Sequence, residues 1–184
     1  VARGLVAWYP LLGDTLDYAG TNHAVNNGAV ATAEGYVFNG GEWIDLPDDL
    51  GYELEVSAFA VFKAKGGPTG GWHIVFGGDR LEVSINASDY LKTGVYAPSR
   101  TTSTHGGGLL DGEPHVVGFT LGGGVKTTYI DGVPVGTQAI TGDIISSFSY
   151  RRLGRFGSDT RYYLNGIIRD VRIHNVALTP EEVA

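Results

Sequence analysis

Cysteine and methionine are both absent from this 184-residue sequence, and it has no long apolar run. The absence of cysteine excludes disulfide bonds and thiolate metal sites. No stretch approaches the roughly 20 apolar residues that span a bilayer, so we expect no membrane insertion. Basic residues are the minority, 13 against 20 acidic ones, for a formal net charge of -7. This balance argues against nucleic-acid binding, which needs a basic surface for the phosphate backbone.

Glycine and short β-rich runs are what the sequence has in excess. The 29 glycines are about twice the usual share for such a chain. Ten or more strand-like runs, such as "EVSAFAVFKAK" and "RLEVSIN", are separated by Gly, Pro, Asn and Asp. With 42% hydrophobic residues the chain has enough apolar material for one core. We therefore expect one all-β domain over residues 1–184, and the missing methionine suggests a segment of a larger protein.

Four local patterns predict details of the strands and turns. "RLEVSIN" alternates apolar and polar residues, which is typical of a half-buried strand, whereas "SAFAVF" is apolar at both parities and should lie centrally in a sheet. Asp131-Gly132 between two β-rich runs predicts a hairpin turn with positive φ at both residues. In "LTPEEVA", Thr179 as cap and Pro180 as first residue predict one helical turn.

Five segments occur in an order that resembles laminin-G-like, concanavalin A-like jelly-roll domains. They are "LVAWYPLLGDTLDYAG", "GYVFNGGEWIDLP", "LEVSAFAVFKAK", "LLDGEPHVVGFTLGGGVKTTYIDGVPVG" and "YLNGIIRDVRIHNVALTPEEVA". The last is the most specific, since Gly166 to Glu182 fit the closing pattern of the family almost throughout. The resemblance covers nearly the whole chain. It implies an all-β, two-sheet antiparallel jelly-roll sandwich with six or seven strands in each sheet.

Catalysis is not expected from the motifs. Some relatives of this fold are β-glucanases with a Glu-x-Asp-x-x-Glu strand motif, which this sequence lacks. It also has no G-x-S-x-G, H-E-x-x-H or P-loop motif. We therefore predict that the protein is not an enzyme. A glycan hydrolase that uses Glu82 or Glu55 is the weaker alternative.

A structural Ca²⁺ ion is a further implication of the resemblance. Many relatives hold one through an early acidic turn and the Asp of the last strand, which here correspond to Asp14 or Asp17 and to Asp170. Carboxylates in such loops are the ligands that calcium prefers. The alternative is that Asp170 forms an ion pair with Arg172 or Arg169, a contact worth about 0 to 1 kcal/mol on a solvated face.

A ligand site would combine aromatic faces with polar side chains near loops. Trp72 and His73 follow the run "GGPTGG", and Tyr90, Tyr96 and Arg100 lie within "YLKTGVYAPSR". Aromatic side chains of this kind stack on sugar rings, and charged or amide groups hold the hydroxyls. We predict these five residues as the ligand-binding set.

Two other groups of residues have a less specific interpretation. Trp8 and Trp43 lie within strand signatures and are expected in the core. The run "YRRLGRFGSDTRYY" places four arginines, at positions 151, 152, 155 and 161, among tyrosines. Such a cluster suits a protein interface, an acidic glycan or a phosphate. Solvated turn charges in an acidic protein are the alternative.

The favoured function is a non-catalytic binding or adhesion domain that recognises carbohydrate or a protein ligand on a cell or particle surface. The alternative is a structural or assembly module of a viral particle, as a fibre, appendage or decoration domain, or of a bacterial surface protein. Both place the domain outside the cell or on a virion. A homo-oligomer formed through the parent protein is compatible with either.

Overall fold

A computed structural model describes residues 2–47, 50, 55–67, 69–78, 81–96, 100–142, 151–157 and 161–184. Over these residues the chain forms two antiparallel sheets, of eight and seven strands, that stack as a sandwich. The predicted all-β architecture is confirmed. One sheet is larger than the six or seven strands expected, because two short strands near the N-terminus both add to it.

The eight-stranded sheet combines the two ends of the chain with its middle. Numbered in chain order, its described strands are β1 (Leu5–Tyr9), β3 (Val30–Thr32), β4 (Gly35–Asn39), β6 (Val56–Lys63), β11 (His115–Gly122), β12 (Val125–Ile130), β13 (Val133–Ala139) and β15 (Asn165–His174). They lie in the order β13-β12-β11-β6-β15-β4-β3, while β1 pairs with the C-terminal half of β15. The central place of β6 confirms the prediction made from its apolar run.

The seven-stranded sheet contains the remaining strands. They are β2 (Val25–Asn27), β5 (Trp43–Leu46), β7 (Trp72–Gly78), β8 (Leu81–Asn86), β9 (Leu91–Tyr96), β10 (Arg100–His105) and β14 (Arg151–Leu153). Their order is β10-β9-β8-β7-β14-β5-β2. A 3-10 turn at Thr69–Gly71 precedes β7, and a short helix, α1 (Pro180–Val183), follows β15.

Apolar side chains from both sheets meet in the space between them. Ala58, Ala60 and Phe62 of β6 face this core from one side, and Ile44 and Leu46 of β5 face it from the other. Each fully buried side chain of the size of Phe62 contributes roughly 2 kcal/mol through burial. The alternation in these strands leaves the residues between them on the outer faces.

Both predicted turns are observed. Asp131 and Gly132 have φ values of 50° and 77° and close the hairpin between β12 and β13. At α1 the Thr179 N–H donates to the Glu182 carboxylate at 2.8 Å, so the helix begins where its cap was expected.

The prediction that "RLEVSIN" is half buried is wrong. In β8 the apolar Leu81 and Val83 face the core, but Glu82 is only 3% exposed and Ser84 is fully buried. Alternation therefore identified the strand and its inward face. It did not reveal that other parts of the chain also cover the outward face.

Candidate ligand-binding site

The outer face of the seven-stranded sheet carries a row of three charged residues and two glycines. Strand pairing aligns Asp45, Arg152, Gly77, Glu82 and Gly94 across five neighbouring strands. All of them alternate with core residues in their strands, so they face away from the sandwich. Charged side chains are thereby held in fixed positions on a rigid sheet.

Trp43 lies at the β5 edge of this face together with two arginines. The guanidinium Cζ of Arg155 lies 4.7 Å from the centre of the Trp43 ring system, and that of Arg152 lies 5.5 Å from it. Arg152 Nε donates to Asp45 Oδ1 at 2.6 Å, and Trp43 Nε1 donates to Asp45 Oδ2 at 3.1 Å. The centre of the Tyr163 ring lies 5.4 Å from Cζ of Arg155. We call these five residues the Trp43 cluster.

Trp72 forms a second aromatic position at the start of β7. Lys92 Nζ lies 3.8 Å from the centre of the Trp72 ring and 2.6 Å from Glu82 Oε1. Ser84 Oγ also donates to Glu82 Oε1, at 2.9 Å. The buried carboxylate of Glu82 is therefore neutralised by Lys92, and the same ammonium group lies against the aromatic ring.

Part of this outer face is covered by the chain itself. After β14 the backbone turns back on itself through the bridge between Arg155 and Tyr163. The Arg155 carbonyl oxygen passes so close to Gly77 that a Cβ there would lie 2.0 Å from it. Only glycine permits this approach. Ile74, also on this face, is 2% exposed, whereas Trp43 and Trp72 keep part of their surface accessible.

Asp45 and Glu82, the two carboxylates of this row, do not have the spacing of a glycosidase pair. Three strand spacings separate Asp45 from Glu82 along the row, about 14 Å. Glycosidases place their two carboxyl groups about 5 to 9.5 Å apart. Glu55, the other acid considered from the sequence, accepts a hydrogen bond from the Ala177 N–H elsewhere on the surface.

The five predicted ligand-binding residues do not form one cluster. Trp72 and Tyr90 lie near the same end of the sheet, since Asn86 pairs with Trp72 and accepts the Tyr90 N–H. Tyr90 is 49% exposed. Tyr96 and the backbone of Arg100 lie opposite each other at the far end of β9 and β10, and the side chain of Arg100 is outside the described part.

His73 is the predicted ligand residue that the structure places in the interior. Its side chain is fully buried, with Nδ1 accepting the Asn165 N–H at 3.3 Å and Nε2 donating to the Gly66 carbonyl at 3.0 Å. Burial lowers the pKa of His73, so the ring stays neutral. Its position is that of a core histidine with satisfied hydrogen bonds.

The early acidic turn uses its carboxylates to hold its own backbone. Asp17 is 4% exposed and accepts N–H groups from Trp8, Ala19 and Asn22 at 2.9 to 3.1 Å. Asp14 accepts the Leu16 N–H at 3.1 Å. These are the bonds of a self-contained turn.

Asp170 forms the ion pair that was the alternative to a metal site. Its oxygens accept Arg172 Nε and a terminal nitrogen of the same guanidinium, both at 3.0 Å, and the indole N–H of Trp8 at 2.7 Å. Within the described residues, which include Asp14 and Asp17, no group of three His, Asp or Glu side chains could hold a metal ion. The donor set therefore does not fit a carboxylate cage, and calcium binding stays a prediction.

The prediction from the sequence is wrong for two of the three tryptophans. Trp8 and Trp43 were expected in the core, yet both are half-buried on outer faces. The signal was present in "EWIDLP", because Trp43 shares its parity with Asp45 and not with Ile44. The arginine-rich run was noted, and the structure brings its Arg152 and Arg155 onto the Trp43 ring.

Comparison with protein families gives one match over most of the chain. Residues 38–184 match the model of the concanavalin A-like lectin/glucanases superfamily. A comparison with curated protein sequences finds no match. Among the described residues, no helix is long and apolar enough to cross a membrane.

Several solved structures share the fold. Domain 4 of AbnA, a GH43 extracellular arabinanase from Geobacillus stearothermophilus solved in complex with arabinotriose, is 22% identical with a TM-score of 0.77, over 100% of this chain and 98% of that domain. A mutant Trypanosoma rangeli sialidase displaying trans-sialidase activity is 16% identical with a TM-score of 0.77, over 98% of this chain and 32% of its own length. The binding domain of Paraclostridial Mosquitocidal Protein 1 is 12% identical with a TM-score of 0.76, over 98% of this chain and 51% of its own length. At these identities the similarity shows the fold alone.

Proposed function

This chain belongs to the concanavalin A-like lectin/glucanase superfamily, and we propose that it binds carbohydrate without cleaving it. The observation that carries the proposal is the pair of partly accessible tryptophans, Trp43 and Trp72, on the outer face of one sheet. Each is bordered by charged side chains with fixed positions. In the pairs Asp45–Arg152 and Glu82–Lys92 the opposite charges balance each other, and this part of the face is polar.

Sugar rings have the complementary chemistry. Their C–H faces pack on aromatic rings, and their hydroxyl groups both donate and accept hydrogen bonds. The Trp43 cluster combines an aromatic face with a carboxylate and a guanidinium group beside the ring. The arabinotriose complex of the similar arabinanase domain supports an oligosaccharide as the ligand class. That arabinanase is extracellular, which supports a location outside the cell for this chain as well.

The test is a glycan array followed by calorimetric titration with each oligosaccharide that binds. We expect Trp43→Ala and Trp72→Ala to weaken binding at least about tenfold each, because truncating a tryptophan that anchors a ligand typically costs about 2 kcal/mol or more. Tyr18→Ala is the matched control, since Tyr18 is 57% exposed near Trp8 on another surface. No binding to any glycan on the array, or an equal loss of affinity in Tyr18→Ala, would contradict the proposal.

An assembly module remains the second candidate, and one observation favours it. Val25, Val30 and Val133 are 56% to 62% exposed, and they lie on β2, β3 and β13, the end strands of the two sheets. Exposed edge strands with β-branched residues pair readily with another chain. Light scattering of the purified chain tests this directly. A monomer at all concentrations would count against assembly through these edges.

A further inference from the structure

A groove lies on the outer face of the eight-stranded sheet, away from the proposed carbohydrate face. Its volume is about 420 Å³, within the usual range for small-molecule sites. Phe59, Val61 and Val116 line its base, and Leu178 and Val183 of the C-terminal segment line one side. We call this the Phe59 groove. Its described lining is apolar at the base and charged at the rim.

The base is shaped by a glycine opposite Phe59. Phe59 and Val61 alternate with the core residues of β6, so they face outwards. Gly118 of β11 pairs with Phe59, and a Cβ at Gly118 would lie 2.5 Å from the Phe59 ring. The ring therefore lies across the neighbouring strand and meets Tyr129 edge-on at 5.9 Å. An apolar floor results.

One rim is fixed by an irregularity in β15. The pairing of β15 with β6 shifts between Arg169 and Arg172, and Asp170 within this bulge has a φ of 49°. A bulge of this kind redirects side chains and commonly lies beside binding sites. Here it directs Asp170 to both Arg172 and Trp8, and Arg172 also lies 5.4 Å from the Trp8 ring. Arg172 is thus held in place at the groove.

A second arginine is fixed at the other rim. Arg3 Nε and one terminal nitrogen donate to Glu182 at 2.9 and 2.8 Å, and that nitrogen also donates to the Ala177 carbonyl at 2.6 Å. The hydrogen bond with Arg3 lowers the pKa of Glu182 to about 2, so the pair is ionised at any ordinary pH. His174 is buried beneath and its Nδ1 donates to the Arg3 carbonyl at 2.8 Å.

Each of the two arginines has one terminal nitrogen that its own carboxylate partner does not engage. Each guanidinium commits Nε and one terminal nitrogen to its own carboxylate, and its other terminal nitrogen makes no hydrogen bond within the described residues. Arg3 and Arg172 are 48% and 49% exposed. Guanidinium N–H groups pair well with the oxygens of a carboxylate. We propose that the Phe59 groove binds a small apolar molecule that carries a carboxylate, with its body on Phe59, Val61 and Val116.

The proposal is tested on the full chain with two probes, 3-phenylpropionate and its amide. Methyl NMR signals of Val61, Val116 and Leu178 report binding. We expect saturable shifts with the carboxylate and at least about tenfold weaker binding of the amide, since a charge-assisted hydrogen bond is roughly twice as strong as a neutral one. Equal binding of both probes, shifts confined to other residues, or no shift at millimolar concentration would overturn it.

Three variants distinguish binding in the Phe59 groove from binding elsewhere on the protein. Arg172→Gln should weaken carboxylate binding about tenfold, whereas Arg169→Gln, on the same strand but lining a neighbouring cavity, should not. Val116→Phe fills the groove from a position that is 37% exposed, so the fold tolerates it and carboxylate binding is lost. None of these changes touches Trp43 or Trp72, so glycan binding should be unaltered. Retained carboxylate binding in a folded Val116→Phe protein would also overturn the proposal.

Discussion

Lys126 is a charged residue in the core of the sandwich. It lies on β12 opposite Leu121 with its side chain fully buried, and Nζ donates to the Thr93 carbonyl of the other sheet at 2.7 Å. Burial lowers the pKa of Lys126 to about 8, although the charge of Glu82 acts in the opposite direction. The folded protein therefore holds this proton more weakly than the unfolded chain, in which the pKa is 10.5.

The sign of the pH dependence follows from this difference. Between pH 8 and 10.5 the unfolded chain binds more protons than the folded protein, so stability rises with pH in that window. From the pKa of about 8, the gain between pH 7 and 9.5 is about 2 kcal/mol. Lys126→Met removes the charge, and at pH 7 it should stabilise the fold by about 2 kcal/mol after about 1 kcal/mol is lost with the hydrogen bond to Thr93.

Urea unfolding followed by tryptophan fluorescence at pH 7, 8, 9 and 9.5 measures this. The free-energy difference between Lys126→Met and the wild type should shrink steadily as the pH rises. Lys65→Met, at an exposed lysine, is the matched control and should change stability by the same small amount at every pH. A constant difference for Lys126→Met, or a destabilised variant at pH 7, would refute the reasoning.

Three further predictions concern other parts of the chain. Gly77→Ala should destabilise the fold by about 2 kcal/mol and weaken glycan binding, because its Cβ would collide with the Arg155 carbonyl; urea unfolding and titration measure both. Burial alone would lower the pKa of His115, but hydrogen bonds to Asp131 and Asp111 outweigh it and raise the pKa. The stability that these two bonds give to the protonated ring should therefore be lost as the pH rises above 6.5. His115→Gln should show no such loss. If Asp170 binds calcium, the ion should raise the wild-type melting midpoint over a chelator control.

Each of these has its own control. Gly41→Ala meets nothing within 4 Å and should be neutral, so equal effects at Gly41 and Gly77 would contradict the collision. A wild type that is no less stable at pH 8 than at pH 6, relative to His115→Gln, would contradict the ion-pair account. A calcium shift that persists in Asp170→Asn would place the ion elsewhere, and no shift would leave Asp170 with its bonds to Arg172 and Trp8 and no metal.

The architecture was predictable because it depends on local signals. The turn at Asp131-Gly132 needs positive φ at both residues, and "SAFAVF" is apolar on both faces, so each constrains one element without reference to the rest of the chain. The position of Lys126 was not predictable in this way. The sequence predicts only that its strand enters the hairpin at Asp131-Gly132, and the stacking of the other sheet buries it.

The site was predicted less well for a related reason. Trp72, one of the five candidates, is half-buried on an outer face, but its neighbour His73 has the opposite parity and faces the core. Trp43 was missed because a tryptophan in a strand signature is usually buried. Its environment also depends on Arg152 and Arg155, which are far away in sequence and lie against its ring.

Asp170 shows how one side chain serves the fold and a surface together. Its carboxylate joins the first strand to the last through Trp8, and the same bulge aims Arg172 along the Phe59 groove. A left-handed backbone at a non-glycine residue is unfavourable, although aspartate is among the residues that tolerate it best. Because two hydrogen-bonded partners hold the carboxylate in this conformation, Asp170→Ala should loosen β1 and misplace Arg172 at once. Asn at this position can keep the backbone while losing the charge, so it separates the structural role from the electrostatic one.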